Sequence, residues 1–222
     1  MRIFDPRFEF YGITDQGSAL ARSDEEVACA LIKGGVTCLQ YRAKKVSARE
    51  QWDTAIELRR LTLNAGITFI INDRVDLAID CGADGVHLGQ DDIPVASARR
   101  LAKRADREDL LIGRSTHSLE QAAEAEKDGV DYIGYGPLYS TQTKENNVAP
   151  VGVESLRDIV RWASIPVVAI GGIKLTELQE VADSAAQHCA VVTALTGAPD
   201  IEATTRQFVA QWRLAKKNLI KA

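Results

Sequence analysis

What the chain lacks narrows its chemistry first. Four cysteines are present, Cys29, Cys38, Cys81 and Cys189, and no two form a CxxC pair. Their spacing fits neither a zinc site nor a disulfide framework, so buried, reduced thiols are expected. Three histidines, His87, His117 and His188, supply no credible zinc set. Neither a cysteine nucleophile nor a Ser/His/acid triad can be assembled. Charge of one sign is also missing. With 27 basic and 31 acidic side chains the formal net charge is −4, which gives no bulk attraction for nucleic acid or an anionic membrane. No apolar run approaches the roughly 18 residues of a membrane span. Residues 1–10 mix charges with aromatics and show no apolar signal core. A cytoplasmic protein is expected, with no nucleic-acid or membrane partner. Low-complexity stretches and linkers are absent too, so residues 1–222 are expected to form one domain.

What is present is a regular alternation. Compact apolar runs, often β-branched, read as strands buried on both faces. They fall at Phe8–Thr14, Thr37–Tyr41, Thr68–Ile71, Gly85–Leu88, Leu110–Gly113, Tyr132–Gly134, Pro166–Ile170 and Ala190–Ala194. Helical patterns separate them: 23–33, 48–64, 73–80, 95–104, 118–127, 153–162, 176–182 and 201–218. The first opens on Ser23 with Asp24, Glu25 and Glu26 behind it, a suitable N-cap and acidic first turn. Three similar turns lead from a helix into a strand: Lys33-Gly-Gly-Val, Cys81-Gly-Ala-Asp-Gly-Val and Lys127-Asp-Gly-Val. Strand–helix alternation implies parallel strands and right-handed crossovers. Eight such units fit an α/β fold of the (β/α)8 TIM-barrel type. A doubly wound open sheet is the rival. Against it, the first strand runs into Ile13-Thr14-Asp15 with no glycine-rich fingerprint.

A barrel of this kind places its active site at the C-terminal ends of its strands. The residues there are unusually polar. Arg42 and Lys44, one residue apart, would point the same way from an extended chain and suit phosphate; a solvated pair is the plainer alternative. Asp73 and Asp92 follow adjacent strands and are hard oxygen ligands of the kind Mg2+ prefers. Both also stand where a helix N-cap would. Gly171-Gly172 offers bare backbone N–H groups to an anion, or only a turn. Thr141-Gln142-Thr143-Lys144 combines hydroxyls with a cation, either as a phosphate loop or as a mobile lid. His87, inside the fourth strand, suits a structural role as well as catalysis. His117 could approach the site, and His188 is expected just before the eighth strand on the opposite rim.

Eight segments in order carry a resemblance: Tyr11-Gly-Ile-Thr-Asp15, Gln40-Tyr-Arg-Ala-Lys44, Ile71-Asn-Asp-Arg74, Gly85-Val-His-Leu-Gly-Gln-Asp-Asp92, Gly113-Arg-Ser-Thr-His117, Gly136-Pro-Leu-Tyr-Ser-Thr-Gln-Thr-Lys144, Ala169-Ile-Gly-Gly-Ile173 and Val191-Val-Thr-Ala194. Together they resemble the thiamine phosphate synthase family over about residues 9–200. The resemblance implies a transferase that joins 4-amino-2-methyl-5-(diphosphooxymethyl)pyrimidine to 4-methyl-5-(2-phosphooxyethyl)thiazole, giving thiamine phosphate and pyrophosphate. It implies that pyrophosphate departs first and that the thiazole nitrogen attacks the resulting pyrimidine cation. No general base is then needed, in keeping with the missing triad.

By the same resemblance, Gln40, Tyr41, Arg42, Ala43, Lys44, Asn72, Ser115 and Lys144 bind the pyrimidine diphosphate, with catalytic roles for Arg42, Lys44, Ser115 and Lys144. Asp73 and Asp92 hold Mg2+. Thr141, Gln142, Thr143, Gly172, Val192 and Thr193 bind the thiazole phosphate. The chain departs from the family at Ser140, where proline is common, at Thr193, where serine is, and at Arg114, which replaces a small apolar residue. Arg114 would either add a cation at the mouth or point outward. A thiazole tautomerase on the same fold is the nearest rival; it needs neither diphosphate nor metal, and Arg42, Lys44, Asn72, Asp73, Asp92 and Lys144 argue against it. A non-catalytic phosphate-binding barrel would leave the two acids unexplained. Association into a homo-oligomer stays open.

Overall fold

The computed structural model describes residues 9–141 and 149–219. Within them, eight parallel strands close in chain order into a barrel, the (β/α)8 arrangement the alternation predicts. The strands are β1 (Phe10–Ile13), β2 (Cys38–Tyr41), β3 (Thr68–Asn72), β4 (Gly85–Leu88), β5 (Leu111–Thr116), β6 (Tyr132–Tyr135), β7 (Val167–Ile170) and β8 (His188–Val191). Between and after them lie α1 (Asp24–Gly34), α2 (Ala48–Ala65), α3 (Val75–Asp80), α4 (Val95–Arg104), α5 (Leu119–Lys127), α6 (Gly152–Trp162), α7 (Leu178–Asp183), α8 (Thr193–Thr196) and α9 (Ile201–Leu219).

Side chains alternate across each strand, and this divides the apolar residues into two layers. Tyr11, Ile13, Cys38, Ile70, Tyr132, Val168 and Ala190 fill the barrel interior. Their neighbours, among them Phe10, Leu39, Phe69 and Ile133, pack outward against the helices, where Trp212 of α9 is buried. Ser23 caps α1 as expected: its side chain accepts the Glu26 N–H, while Glu26 returns to the Ser23 N–H.

The recurring turn before a strand has a physical function. At the N-terminal rim, the residue just ahead of an even strand accepts an N–H at the start of the odd strand before it. Thr37 Oγ1 takes Phe10 N at 2.9 Å, Asp84 takes Phe69 N at 2.8 Å, Asp131 takes Ile112 N at 2.7 Å, and Gln187 takes Val167 N at 2.9 Å. Buried N–H groups require such partners. Arg59 forks onto Asp84 at 2.9 and 3.1 Å, and Arg99 reaches Asp131 at 2.6 Å, so each carboxylate is held from two sides.

Several boundaries differ from expectation, and three of the differences bear on the site. Strand β8 begins at His188 and ends at Val191, so Thr193 lies in α8 rather than at a strand end. Strand β5 runs on to Thr116, which places Arg114 and Ser115 inside it. Helix α3 starts at Val75, two residues after Asp73.

Candidate active site

The C-terminal ends of the strands surround a cavity of about 680 Å3. Its floor is polar and continuous. Gln40 Nε2 donates to Tyr11 Oη at 2.6 Å, Tyr11 meets Tyr132 hydroxyl to hydroxyl at 3.3 Å, and His87 joins Tyr132 Oη to Ser115 Oγ, each at 3.0 Å. Five strands thus contribute to one chain of hydrogen bonds across the barrel. Burial, with Tyr132 beside it, holds the Tyr11 phenol well above its usual range, and burial raises Tyr132 likewise. Both stay neutral and keep their O–H protons. His87 is part of this floor, which gives its strand position a defined purpose.

One wall is apolar, formed by Ile13, Val168, Ile170 and Ile173. Arg42 and Asn72 also line the cavity, just beyond β2 and at the end of β3. Near the end of β7, Gly171 and Gly172 line the cavity at φ +100° and +69°. A Cβ on Gly172 would stand 2.7 Å from the Ser140 carbonyl oxygen and 2.8 Å from that of Tyr139. The loop after β6 therefore lies directly on the pair, and Tyr139 N donates to Gly171 O at 3.0 Å. Thr141, Val192 and Thr193 complete the lining on that side.

Arg42 and Lys44 do not share a direction. Strand β2 ends at Tyr41 and a bend follows at residues 44–46, so the extended-chain argument fails. Arg42 turns toward β1 and pairs with Asp15, whereas Lys44 turns toward β3 and pairs with Asp73. Tyr41 and Ala43 pack in the outer layer, away from the cavity, leaving Gln40, Arg42, Asn72 and Ser115 as the cavity-facing members of that set. Gln142, Thr143 and Lys144 lie outside the described residues.

The two acids converge. Asp73 follows β3 at φ +64°, a left-handed conformation that aspartate tolerates better than most side chains, and its N–H donates to the His87 carbonyl at 2.8 Å. Neither acid serves as a helix cap: the N-caps of α3 and α4 are Arg74 and Pro94, with no side-chain cap bond. Asp92 Oδ2 accepts the Gly89 N–H at 2.6 Å, and the Asp73 carboxyl stands near enough to act on it. Burial above all, and then the neighbouring Asp73, raises the Asp92 carboxyl above its ordinary value, while the Gly89 N–H and, more weakly, Lys44 oppose the shift. Two carboxylates this close, offset by one ammonium group, suit a hard divalent cation. Among the described residues no third His, Cys, Asp or Glu joins them, so water and ligand oxygens would complete a shell. Asp91 is exposed.

Arg114 points outward and pairs with Asp128 at 3.0 Å. His117 does reach the cavity, where its ring bonds the Gly136 carbonyl. His188 opens β8 instead of preceding it. Sequence reasoning did not single out Tyr11, Tyr132, Lys174 or Asp15. The first two share the inward register of Gln40 and Ser115, so strand alternation could have found them. For Lys174, which lines the cavity beside the glycine pair, no pattern gave a signal.

The family model for thiamine monophosphate synthase matches residues 10–195. The chain belongs to that family. Thiamine-phosphate synthase of Pelotomaculum thermopropionicum is 46% identical over 198 residues, covering 89% of each chain. That of Chloroflexus aurantiacus is 46% identical over 200 residues, covering 90% of each. Among solved structures, thiamine phosphate pyrophosphorylase from Pyrococcus furiosus superimposes with a TM-score of 0.86 at 36% identity, over 95% of this chain and 98% of that one. Family membership makes this chain an enzyme, a transferase of thiamine biosynthesis. No helix among the described residues is long and apolar enough to cross a membrane.

Proposed function

We propose that this chain joins 4-amino-2-methyl-5-(diphosphooxymethyl)pyrimidine to 4-methyl-5-(2-phosphooxyethyl)thiazole, forming thiamine phosphate and pyrophosphate. The observation that carries this reading is the Lys44–Asp73–Asp92 cluster beside a cavity with a neutral, hydrogen-bonding floor. The diphosphate would lie over Arg42, Lys44, Asn72 and Ser115, with Lys144 a further cation for it, and the pyrimidine would rest on the Gln40 side of the floor. The thiazole phosphate would lie between Gly172, Val192, Thr193 and the Thr141–Thr143 segment. Bound Mg2+, held by Asp73 and Asp92, would offset charge on the diphosphate oxygens.

The C–O bond to the diphosphate breaks with both electrons leaving on pyrophosphate. The pyrimidine amino group delocalises the positive charge, and the thiazole nitrogen lone pair forms the new C–N bond. No proton moves, which accords with a site whose phenols are held neutral. The protein's contribution is electrostatic: cations placed where leaving-group charge develops, in a cavity with an apolar wall. A cytoplasmic location, one domain over the whole chain and freely diffusing small-molecule substrates accord with this reading.

The test is direct. The purified protein, both substrates and Mg2+ should give thiamine phosphate and pyrophosphate in equal amounts. Rearrangement of the thiazole phosphate alone, with no condensation, would overturn the proposal in favour of a tautomerase.

A further inference from the structure

The loop between β1 and α1, residues 14–23, links the Arg42 part of the cavity lining, beyond β2, to the Val192 part, beyond β8. Asp15 is 8% exposed. One of its oxygens holds Arg42 Nη1, and the other accepts Ser18 Oγ at 2.9 Å. Ser18 also meets Thr196 Oγ1 at 2.6 Å. Thr196, in α8, is fully buried, and its backbone N–H donates to the Val192 carbonyl at 3.0 Å, which leaves the hydroxyl proton for Ser18. Arg22 clamps the same turn, donating to the Thr196 carbonyl at 3.3 Å and the Pro199 carbonyl at 2.8 Å.

The proton count gives this chain a direction. An ionised carboxylate only accepts, so Ser18 spends its single proton on Asp15. Thr196 must then supply the proton at the Ser18–Thr196 contact. The arrangement runs from Thr196 to Ser18 to Asp15 and ends on the guanidinium of Arg42. Hydrogen bonds in such a series polarise one another. A guanidinium held in place before its anion arrives also loses less rotamer freedom on binding.

We propose that Asp15 is a positioning residue for Arg42, and that the Ser18–Thr196 hydroxyl pair couples the Arg42 end of the cavity to the turn carrying Val192 and Thr193. The assignment of those ends to two different substrates rests on the proposed function; the coupling itself does not.

Inorganic pyrophosphate with Mg2+ is the probe, and calorimetric affinity the readout. Asp15→Asn keeps the shape of the side chain and removes its charge, and should weaken pyrophosphate about tenfold. In an Arg42→Ala background the same change should cost less than about twofold, because Asp15 acts through Arg42. Asp15→Glu should recover part of the affinity, which a merely structural loss would not predict. Thr196→Val should weaken pyrophosphate about threefold from the far side of the loop, and Ser18→Ala, a milder change, should do the same. An equal loss from Asp15→Asn in both backgrounds would overturn the positioning role. No effect of either hydroxyl variant would overturn the coupling. The titration needs no turnover, so a coupled cycle without thiamine phosphate formation would sink the synthase reading alone, and an additive cycle with product formation would sink this inference alone.

Discussion

Gly172 holds the β6–α6 loop against the end of β7 at a φ of +69°. A side chain there adds left-handed strain of about 1–2 kcal/mol to a 2.7 Å approach to the Ser140 carbonyl oxygen. Gly172→Ala should therefore destabilise the fold by about 2 kcal/mol and weaken inorganic phosphate binding, read by thermal melting and by titration; full affinity for phosphate would show that the glycine serves only the turn. Asp24 offers a pH test. It is 3% exposed, and burial, against hydrogen bonds from Gln16 and Thr14, raises its carboxyl above the ordinary value. The folded state thus binds this proton more tightly than the unfolded state. The ionised group costs stability, and the cost appears as pH rises from below the unfolded value through the folded one. Asp24→Asn should melt at a higher temperature than the parent at neutral pH, with the gap closing in acid; a lower melting point at neutral pH would refute it. The nearness of Asp73 and Asp92 was legible, because both follow adjacent strands, β3 and β4. Residue types could not reveal Asp15, whose partner Arg42 is 27 residues distant and meets it only through the β1–β2 register.

At the scale of elements, the strands were legible because each is a short apolar run between turn residues. Strand β8 was placed late because the run Ala190-Val-Val-Thr-Ala194 stays apolar beyond the point where pairing stops, and α8, at four residues, is too short to show a helical period. The extended-chain expectation for Arg42 and Lys44 failed for a related reason. Alternation holds within β2 and ends at Tyr41, after which the bend sends the two cations to different neighbours. The turn repeat was visible as composition, but its purpose, capping the odd strands at the N-terminal rim, needed the register. Asp131→Ala removes a carboxylate that both accepts the Ile112 N–H and pairs with Arg99. A loss of about 2 kcal/mol is expected, roughly 4–8 °C in Tm, with pyrophosphate affinity unchanged because this rim lies opposite the cavity. A stability within about 0.5 kcal/mol of the parent would show that the rim bonds are dispensable.

For the whole molecule, closure of the barrel brings Arg42, Asn72, Ser115 and Gly172 to one cavity, although the sequence spreads them over 130 positions. The fold rule that active sites occupy the C-terminal strand ends made that gathering readable before any coordinates. What the rule does not give is the division of labour within the site: a neutral floor, an apolar wall and a charged corner. The central claim concerns that corner. Asp73 and Asp92 follow paired strands, β3 and β4, and their carboxyls influence each other, while Asp91 is exposed beside them. A Mg2+ titration of thiamine phosphate formation in Asp73→Asn, Asp91→Asn and Asp92→Asn tests it, with folding checked by melting. The account predicts that the Asp73 and Asp92 variants need at least about tenfold more Mg2+ and reach a lower maximal rate, while the Asp91 variant stays within about twofold of the parent. A larger effect at Asp91 than at Asp92, or a parent enzyme indifferent to Mg2+, would contradict it.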